Sequence, residues 1–270
     1  MSHPADPPPA TPADVLAAIR RRRPLVHNIT NAVVMNSTAN GLLAIGASPV
    51  MAHAPEEVAE VTTIASALVI NLGTLTREQV AAMDISAAVA RDRGVPWVLD
   101  PVGVGVTALR RSTAERLLLQ KPSVVRGNAS EIGTLAGEGA SGRGVDSTAE
   151  GVFAGHEPAR HLARRLGCVV AVTGVVDLVT DGRQDVLVHN GHAMLANVTG
   201  TGCLATALVG AALGTGARPL EAAAAALVVL GLAGEQAAAG EVGPGTMQVR
   251  LLDRLAALSP EDVAEGQRVS

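Results

Sequence analysis

Aromatic side chains are almost missing from this chain. Its 270 residues include one Trp, one Phe and no Tyr. Successive bases therefore find no stacking platform, which excludes the usual surface for single-stranded nucleic acid. Charge is sparse as well, at 17% of residues and a formal net charge of −4. No basic stripe is available for a phosphate backbone or an anionic membrane. The densest basic run, Arg20 to Arg23, closes the first helical segment, where cations complement the helix dipole. Two cysteines, Cys168 and Cys203, are too few for a disulfide framework. A reducing, cytoplasmic setting is expected. Residues 1–12 are rich in proline and carry no apolar leader segment. They are expected to form a disordered tail ahead of a single domain over 13–270. The apolar run 222–234 falls short of the ~20 residues a spanning helix needs. Glu221 and Glu235 flank it, so a buried helix is expected and no membrane partner.

What the chain does have is apolar bulk, 48% of its residues. Short β-branched runs alternate with longer Ala- and Leu-rich ones. Strands are expected at 24–28, 48–51, 67–73, 95–101, 123–128 and 168–174. Several are apolar throughout, as in a parallel sheet covered on both faces. Two further runs flank Asp181-Gly182 and read as an edge hairpin. Helices are expected at 31–44, 55–66, 76–93, 108–120, 129–136, 157–166, 202–213 and 219–239. Thr76 with Gln79 forms a candidate capping box. The Gly- and Ser-rich stretch 137–155 reads as a surface excursion with one short helix. The alternation predicts an α/β sandwich around a central, mainly parallel sheet, with helices on both faces.

The chemistry concentrates at strand ends. Asn197-Val-Thr-Gly-Thr-Gly-Cys203 opens an apolar helix. Its glycines permit tight turns and close approach of a ligand. The unpaired N–H groups and positive dipole end of such a helix welcome phosphate. No Lys-Ser/Thr follows, so this is not a Walker A loop. It is not a dinucleotide fingerprint either. Cys203 lies in the first turn, where a thiol is expected to have a lowered pKa and to serve as a base. A small buried hydrophobe is the other reading. Cys168, inside an apolar strand, is read as packing alone.

Asp100 ends a buried strand in Leu99-Asp-Pro-Val-Gly103, where open α/β sheets place ligands. It could hold Mg2+ through water. Arg126 and Glu131 belong to Val125-Arg-Gly-Asn-Ala-Ser-Glu131. They suit a phosphate and a metal, or equally an ion pair beside a helix capped by Asn128. Thr173 could meet a nucleotide phosphate or bond to nearby backbone. Asn28 and Asn31 suit a neutral polar heterocycle, although Asn31 could simply cap the next helix.

Taken in order, HNITNAVVMN, GASPVMAHAPEEV, LVINLGTL, VLDPVGVG, RGNASEI, AVTGVVD and VTGTGC make the chain resemble the bacterial hydroxyethylthiazole kinases. The resemblance runs from about Pro24 to Leu258. It implies a ribokinase-like three-layer α/β sandwich, a homotrimer and a role in thiamine salvage. It also implies ATP as co-substrate and Mg2+ as cofactor. By the same resemblance Met51 and Gly200 contact the thiazole, and Asn31 stands with them. Arg126 and Thr173 contact ATP, and Asp100 and Glu131 organise the metal. Cys203 occupies the position where most ribokinase-like kinases carry a catalytic Asp. That difference speaks against two related activities, pyrimidine-alcohol phosphorylation and nicotinamide-hydrate dehydration. A silent nucleotide-binding subunit would be expected to lack Asp100, Glu131 or Cys203, and all three are present.

Overall fold

The structure is a computed structural model that describes residues 10–137 and 156–270. Residues 1–9 of the expected tail and 138–155 of the expected excursion lie outside the described residues. The elements run α1 (Pro12–Arg22), β1 (Leu25–Ile29), α2 (Met35–Ala44), β2 (Ser48–Val50), α3 (Val58–Ile64) and β3 (Ala67–Asn71). Then come α4 (Arg77–Arg93), β4 (Trp97–Asp100), α5 (Ala108–Leu118), β5 (Val124–Asn128), α6 (Ala129–Ala136) and α7 (His156–Leu166). Strands β6 (Val169–Thr173), β7 (Asp177–Thr180) and β8 (Asp185–Val188) follow, and a short 3-10 turn (Ala193–Asn197) leads onward. The chain finishes with α8 (Thr201–Leu213), α9 (Pro219–Ala237), α10 (Pro244–Ala257) and α11 (Pro260–Gly266).

One sheet of eight strands forms the middle layer, in the order β2-β1-β3-β4-β5-β6-β7-β8. The first six of these pair in parallel, and β7 and β8 close the edge antiparallel. The expected hairpin turn is present: Gly182 has φ +87, and Asp181 accepts bonds from the Arg183 and Gln184 N–H groups. Side chains alternate along each strand, so the parallel strands feed two cores. Val26, Val69, Val98 and Val124 pack with α1, α8, α9 and α10. Leu68, Ile70, Leu99 and Val125 pack with α4, α5, α6 and α7. Burial on both faces explains why these runs lack polar alternation. Each fully buried Leu or Ile contributes roughly 1.5–3 kcal/mol through the hydrophobic effect.

Local signals fix the helix ends. Thr11 with Asp14 and Thr76 with Gln79 form capping boxes. The expected basic run occupies the last turn of α1. Helices α10 and α11 extend beyond the last expected helix. Both begin with Pro, and Ser259 with Asp262 closes a capping box on α11. Helix α9 is long and apolar enough to cross a membrane, but 78% of its apolar window is buried inside the molecule. Helix α8 lies flat on the sheet because Gly210 has no side chain. A Cβ there would stand 2.4 Å from Val69 Cγ2.

Candidate active site

Parallel strands present their carboxyl ends along one edge, and the register sets neighbours there side by side. Asn71 of β3 is opposite Asp100 of β4, and Asn128 of β5 is opposite Thr173 of β6. The start of α8 faces this edge. Its cap, Gly200, has φ +91, a left-handed conformation that strains any other residue. A Cβ on Gly200 would also meet Val34 at 2.6 Å. Gly202 backs onto Arg126, whose Nη1 lies 2.9 Å from where a Cβ would stand.

A chain of polar contacts links these elements. Asn31 Nδ2 donates to Asn71 Oδ1 at 2.9 Å, and Asn71 Nδ2 donates to Asp100 Oδ2 at 2.8 Å. Thr206, one turn into α8, donates to the same oxygen at 2.8 Å. Arg126 Nη1 lies 3.8 Å from it. The other end of the Arg126 guanidinium donates to the Thr173 hydroxyl. Cys203 Sγ receives the second N–H of Asn71 at 3.3 Å and that of Asn31 at 3.5 Å. Asn31, Asp100, Arg126, Thr173 and Cys203 thus meet in one network.

Electrostatics follow from burial. Asp100 is fully buried, which pushes its carboxyl up to about 6, while the Arg126 charge opposes the rise and Glu131 adds to it. The Cys203 thiol is shifted upward, contrary to the sequence expectation. Burial is the main cause and the Asp100 charge the second; the Asn71 and Asn31 amides and Arg126 oppose it. The helix terminus loses because the sulfur lies behind the first turn, half-buried and next to a carboxylate. Two side-chain amides, of Asn71 and Asn31, face the Cys203 sulfur. Cys168 matches its packing reading: it is buried and its thiol is pushed up to about 12 by burial.

Other candidates take different places. Asn31 does not cap α2, which starts at Met35 with no side-chain cap. Its Oδ1 accepts from Val33 N in a turn, leaving the amide for Asn71 and Cys203. Asn128 does cap α6, with Glu131 as the reciprocal partner. Glu131 Oε1 also accepts from Gly103 N at 2.9 Å, and so ties the loop after β4 to α6. Arg126 pairs with Asp100 rather than Glu131. Met51 follows β2 at the same sheet edge, half-buried. Among the described residues its side chain is not part of the amide network.

Beside the network opens a cavity of about 530 Å³. Arg126, Thr173 and Gly202 line its polar end, and Leu195, Leu227 and Leu230 line its apolar wall. Asp177 borders it as well. Burial pushes its carboxyl up to about 6 against the Gly174 N–H bond and the Arg126 charge. A smaller cavity of about 70 Å³ lies by Gly200, Ser37 and Gln248. Sequence reasoning missed Asn71, Thr206 and the whole apolar wall. Asn71 carried a usable signal, an amide ending a fully apolar strand. The wall carried none, because its residues come from α9 and the loop after β8 and look like ordinary core.

The residues fit a weakly held divalent cation. Asp100 Oδ1 is buried and has no hydrogen-bond partner. A lone carboxylate oxygen of this kind suits an ion that keeps several waters and binds phosphate oxygens.

An open parallel sheet, a helix N-terminus facing its carboxyl edge and an Arg-lined cavity beside a buried Asp make a site suited to binding phosphate. Residues 16–261 match the model of the hydroxyethylthiazole kinase family. The chain is 50% identical over 253 residues to a hydroxyethylthiazole kinase of Nitratidesulfovibrio vulgaris, covering 93% of this chain and 94% of the relative. It is 51% identical to one from Methanoculleus marisnigri, covering 96% and 93%. The structure of a hydroxyethylthiazole kinase protein from Pyrococcus horikoshii superposes with a TM-score of 0.89 at 42% identity, covering 96% of this chain and 98% of that one. A Bacillus subtilis pyridoxal kinase shares the fold, with a TM-score of 0.61 at 18% identity. The chain therefore belongs to the hydroxyethylthiazole kinase family and is a kinase that transfers phosphate to an alcohol, with ATP as co-substrate.

Proposed function

We propose that the chain phosphorylates the primary alcohol of 4-methyl-5-(2-hydroxyethyl)thiazole in a Mg2+-dependent step of thiamine biosynthesis or salvage. The observation that carries this reading is the sulfur of Cys203. It is held by two amides at the start of α8, beside Asp100 and Arg126.

The phosphates of ATP lie at the polar end of the larger cavity in this reading. Arg126 and the Thr173 hydroxyl bind them, and the free N–H groups of Thr201 to Cys203 stabilise charge that builds up during transfer. Asp100 and Glu131 are the residues that would hold Mg2+. When bound, the ion supplies positive charge to the phosphate oxygens. Met51, Gly200 and Asn31 bind the thiazole. The alcohol directs its proton at Cys203 Sγ. Both neighbouring amides donate to that sulfur and partly offset the burial and the Asp100 charge that raise its pKa. In its thiolate form it takes the proton and becomes a thiol. Because phosphoryl transfer is loose, the proton leaves late and positioning supplies most of the acceleration.

The sequence resemblance further leads us to propose a homotrimer acting in the cytoplasm. Light scattering on the purified chain tests the assembly, and a monomer at working concentration would exclude it. The function is tested by following phosphate from ATP to the thiazole alcohol beside a pyrimidine alcohol. Faster transfer to the pyrimidine would overturn the assignment.

A further inference from the structure

The apolar wall of the larger cavity is held from behind. Residues Asn190 to Ala193, just after β8, form part of that wall. Their backbone presses on α9 at Gly231, where an added Cβ would meet the Asn190 backbone at 2.6 Å. One helical turn further on, Glu235 Oε1 accepts from Gly191 N at 2.6 Å and from Asn190 Nδ2 at 3.3 Å.

Arg268 grips Glu235 with both ends of its guanidinium. Nη2 lies 2.6 Å from Oε1 and Nη1 lies 3.1 Å from Oε2. Nη2 also donates to the His189 carbonyl, and the Arg268 backbone N–H donates to Asn190 Oδ1 at 2.7 Å. Residues 268–270 run antiparallel to β8. Leu187 and Ser270 exchange N–H···O bonds of 2.8 and 3.0 Å, and His189 N donates to Arg268 O at 2.9 Å. Every polar group of the buried Asn190 side chain is thereby used inward, towards Glu235, Gly266 and Arg268. Asn190 anchors the wall and leaves nothing to face a ligand.

We propose that Arg268 and Glu235 are positioning residues for the nucleotide: their clamp fixes the Asn190–Ala193 wall and so sets the affinity for ATP. This rests on the reading of the larger cavity as the nucleotide site. The clamp lies behind the wall and touches neither the amide network nor Met51, so its effect is confined to the nucleotide side. The Arg268 side chain is 52% exposed and Glu235 25%, so solvent screening limits what the pair adds to global stability. A binding wall that is no longer held in place nonetheless weakens binding, because the ligand must then order it.

The test uses the full chain, with steady-state kinetics in both substrates and calorimetric titration with a non-hydrolysable ATP analogue. Arg268→Ala is expected to raise KM for ATP about five- to tenfold, with kcat and KM for the alcohol within about twofold of the parent. Arg268→Lys, which keeps the charge but loses the fork, should recover part of the loss. Ala193→Phe, at an exposed residue of the wall, fills the cavity directly and should weaken analogue binding whatever the clamp does. If Ala193→Phe acts and Arg268→Ala leaves KM for ATP unchanged, or raises the alcohol KM equally, the clamp is refuted while the cavity reading stands. Unchanged analogue binding in Ala193→Phe overturns the cavity reading and the clamp with it.

Discussion

The side-chain amide of Asn71 lies 3.3 Å from the sulfur of Cys203. The same amide nitrogen gives its other proton to Asp100. One residue at the end of β3 thus joins the carboxylate of the sheet edge to the thiol of the helix start. Both N–H groups of Asn71 are spent, so its rotamer is fixed. The sulfur is consequently held in place although it receives only weak hydrogen bonds.

The first prediction concerns that sulfur. Cys203→Ala should lower kcat by about 10²-fold or more, the usual scale for a lost proton acceptor. KM for ATP and thermal stability should change little. Burial and Asp100 raise the thiol pKa, so the parent's kcat should climb on the alkaline side, and the Ala variant should lose that dependence. A variant with the parent's turnover and pH profile would remove Cys203 from the chemistry.

Asp100 predicts the acid side. Its carboxyl ionises at about 6 rather than 3.8, and only the ionised form organises a cation. Activity should therefore fall through a limb near pH 6. The sign for stability is the opposite. A carboxyl with a raised folded pKa favours the folded state in its protonated form, and that contribution fades as pH rises from about 4 to 6. The full shift is worth about 3 kcal/mol. Asp100→Asn should accordingly be inactive, yet at pH 7 no less stable than the parent by denaturant titration. A strong loss of stability would show that the Arg126 pairing outweighs desolvation.

Much of this was open to sequence reading, for identifiable reasons. Buried parallel strands have to be apolar on both faces, so β3, β4, β5 and β6 stood out as unbroken runs. The capping box at Thr76 and the turn at Asp181-Gly182 are local chemistry, and both formed as expected. Asp100 and Thr173 could be picked out because each ends a strand, and Arg126 because it is a charged residue inside a largely apolar one. Less legible were properties set by three-dimensional surroundings. The thiol of Cys203 shifts upward because it is buried and, second, because of a carboxylate 103 positions earlier in the chain. Asn31 fits a helix-cap pattern but turns its amide inward to Asn71. The apolar cavity wall is built from Leu227 and Leu230, which no local pattern separates from core.

Arg126 couples the two halves of the site. It lies 3.8 Å from Asp100 and donates to Thr173. Arg126→Ala should raise KM for ATP by about 10- to 10²-fold, the scale of a lost charge-assisted contact of roughly 1.5–3 kcal/mol. It should also move the acid limb above pH 6, because the Arg126 charge is what holds the Asp100 pKa down. A limb that stays in place while KM rises would separate the phosphate contact from the carboxylate coupling.

The last prediction sets packing against helix propensity. Gly210 lies mid-helix in α8, where replacing Gly by Ala ordinarily stabilises by about 1 kcal/mol. Here the new methyl would stand 2.4 Å from Val69 Cγ2 and 3.3 Å from Val26 Cγ1. Both valines are buried in strands whose backbones are fixed by parallel ladders on either side, so neither can retreat far. Overpacking of this kind costs about 1–3 kcal/mol, which cancels or exceeds the propensity gain. Gly210→Ala should therefore be neutral to destabilising, and Gly210→Val clearly destabilising. The displacement matters for catalysis too. Lifting α8 from the sheet at Gly210 moves Thr206 and Cys203 away from Asp100 and Asn71, so kcat should fall even where the fold survives. Thermal melts and kinetics on the Ala variant check both halves, and a stabilised, fully active Gly210→Ala would mean that the helix does not rest on the sheet as closely as described.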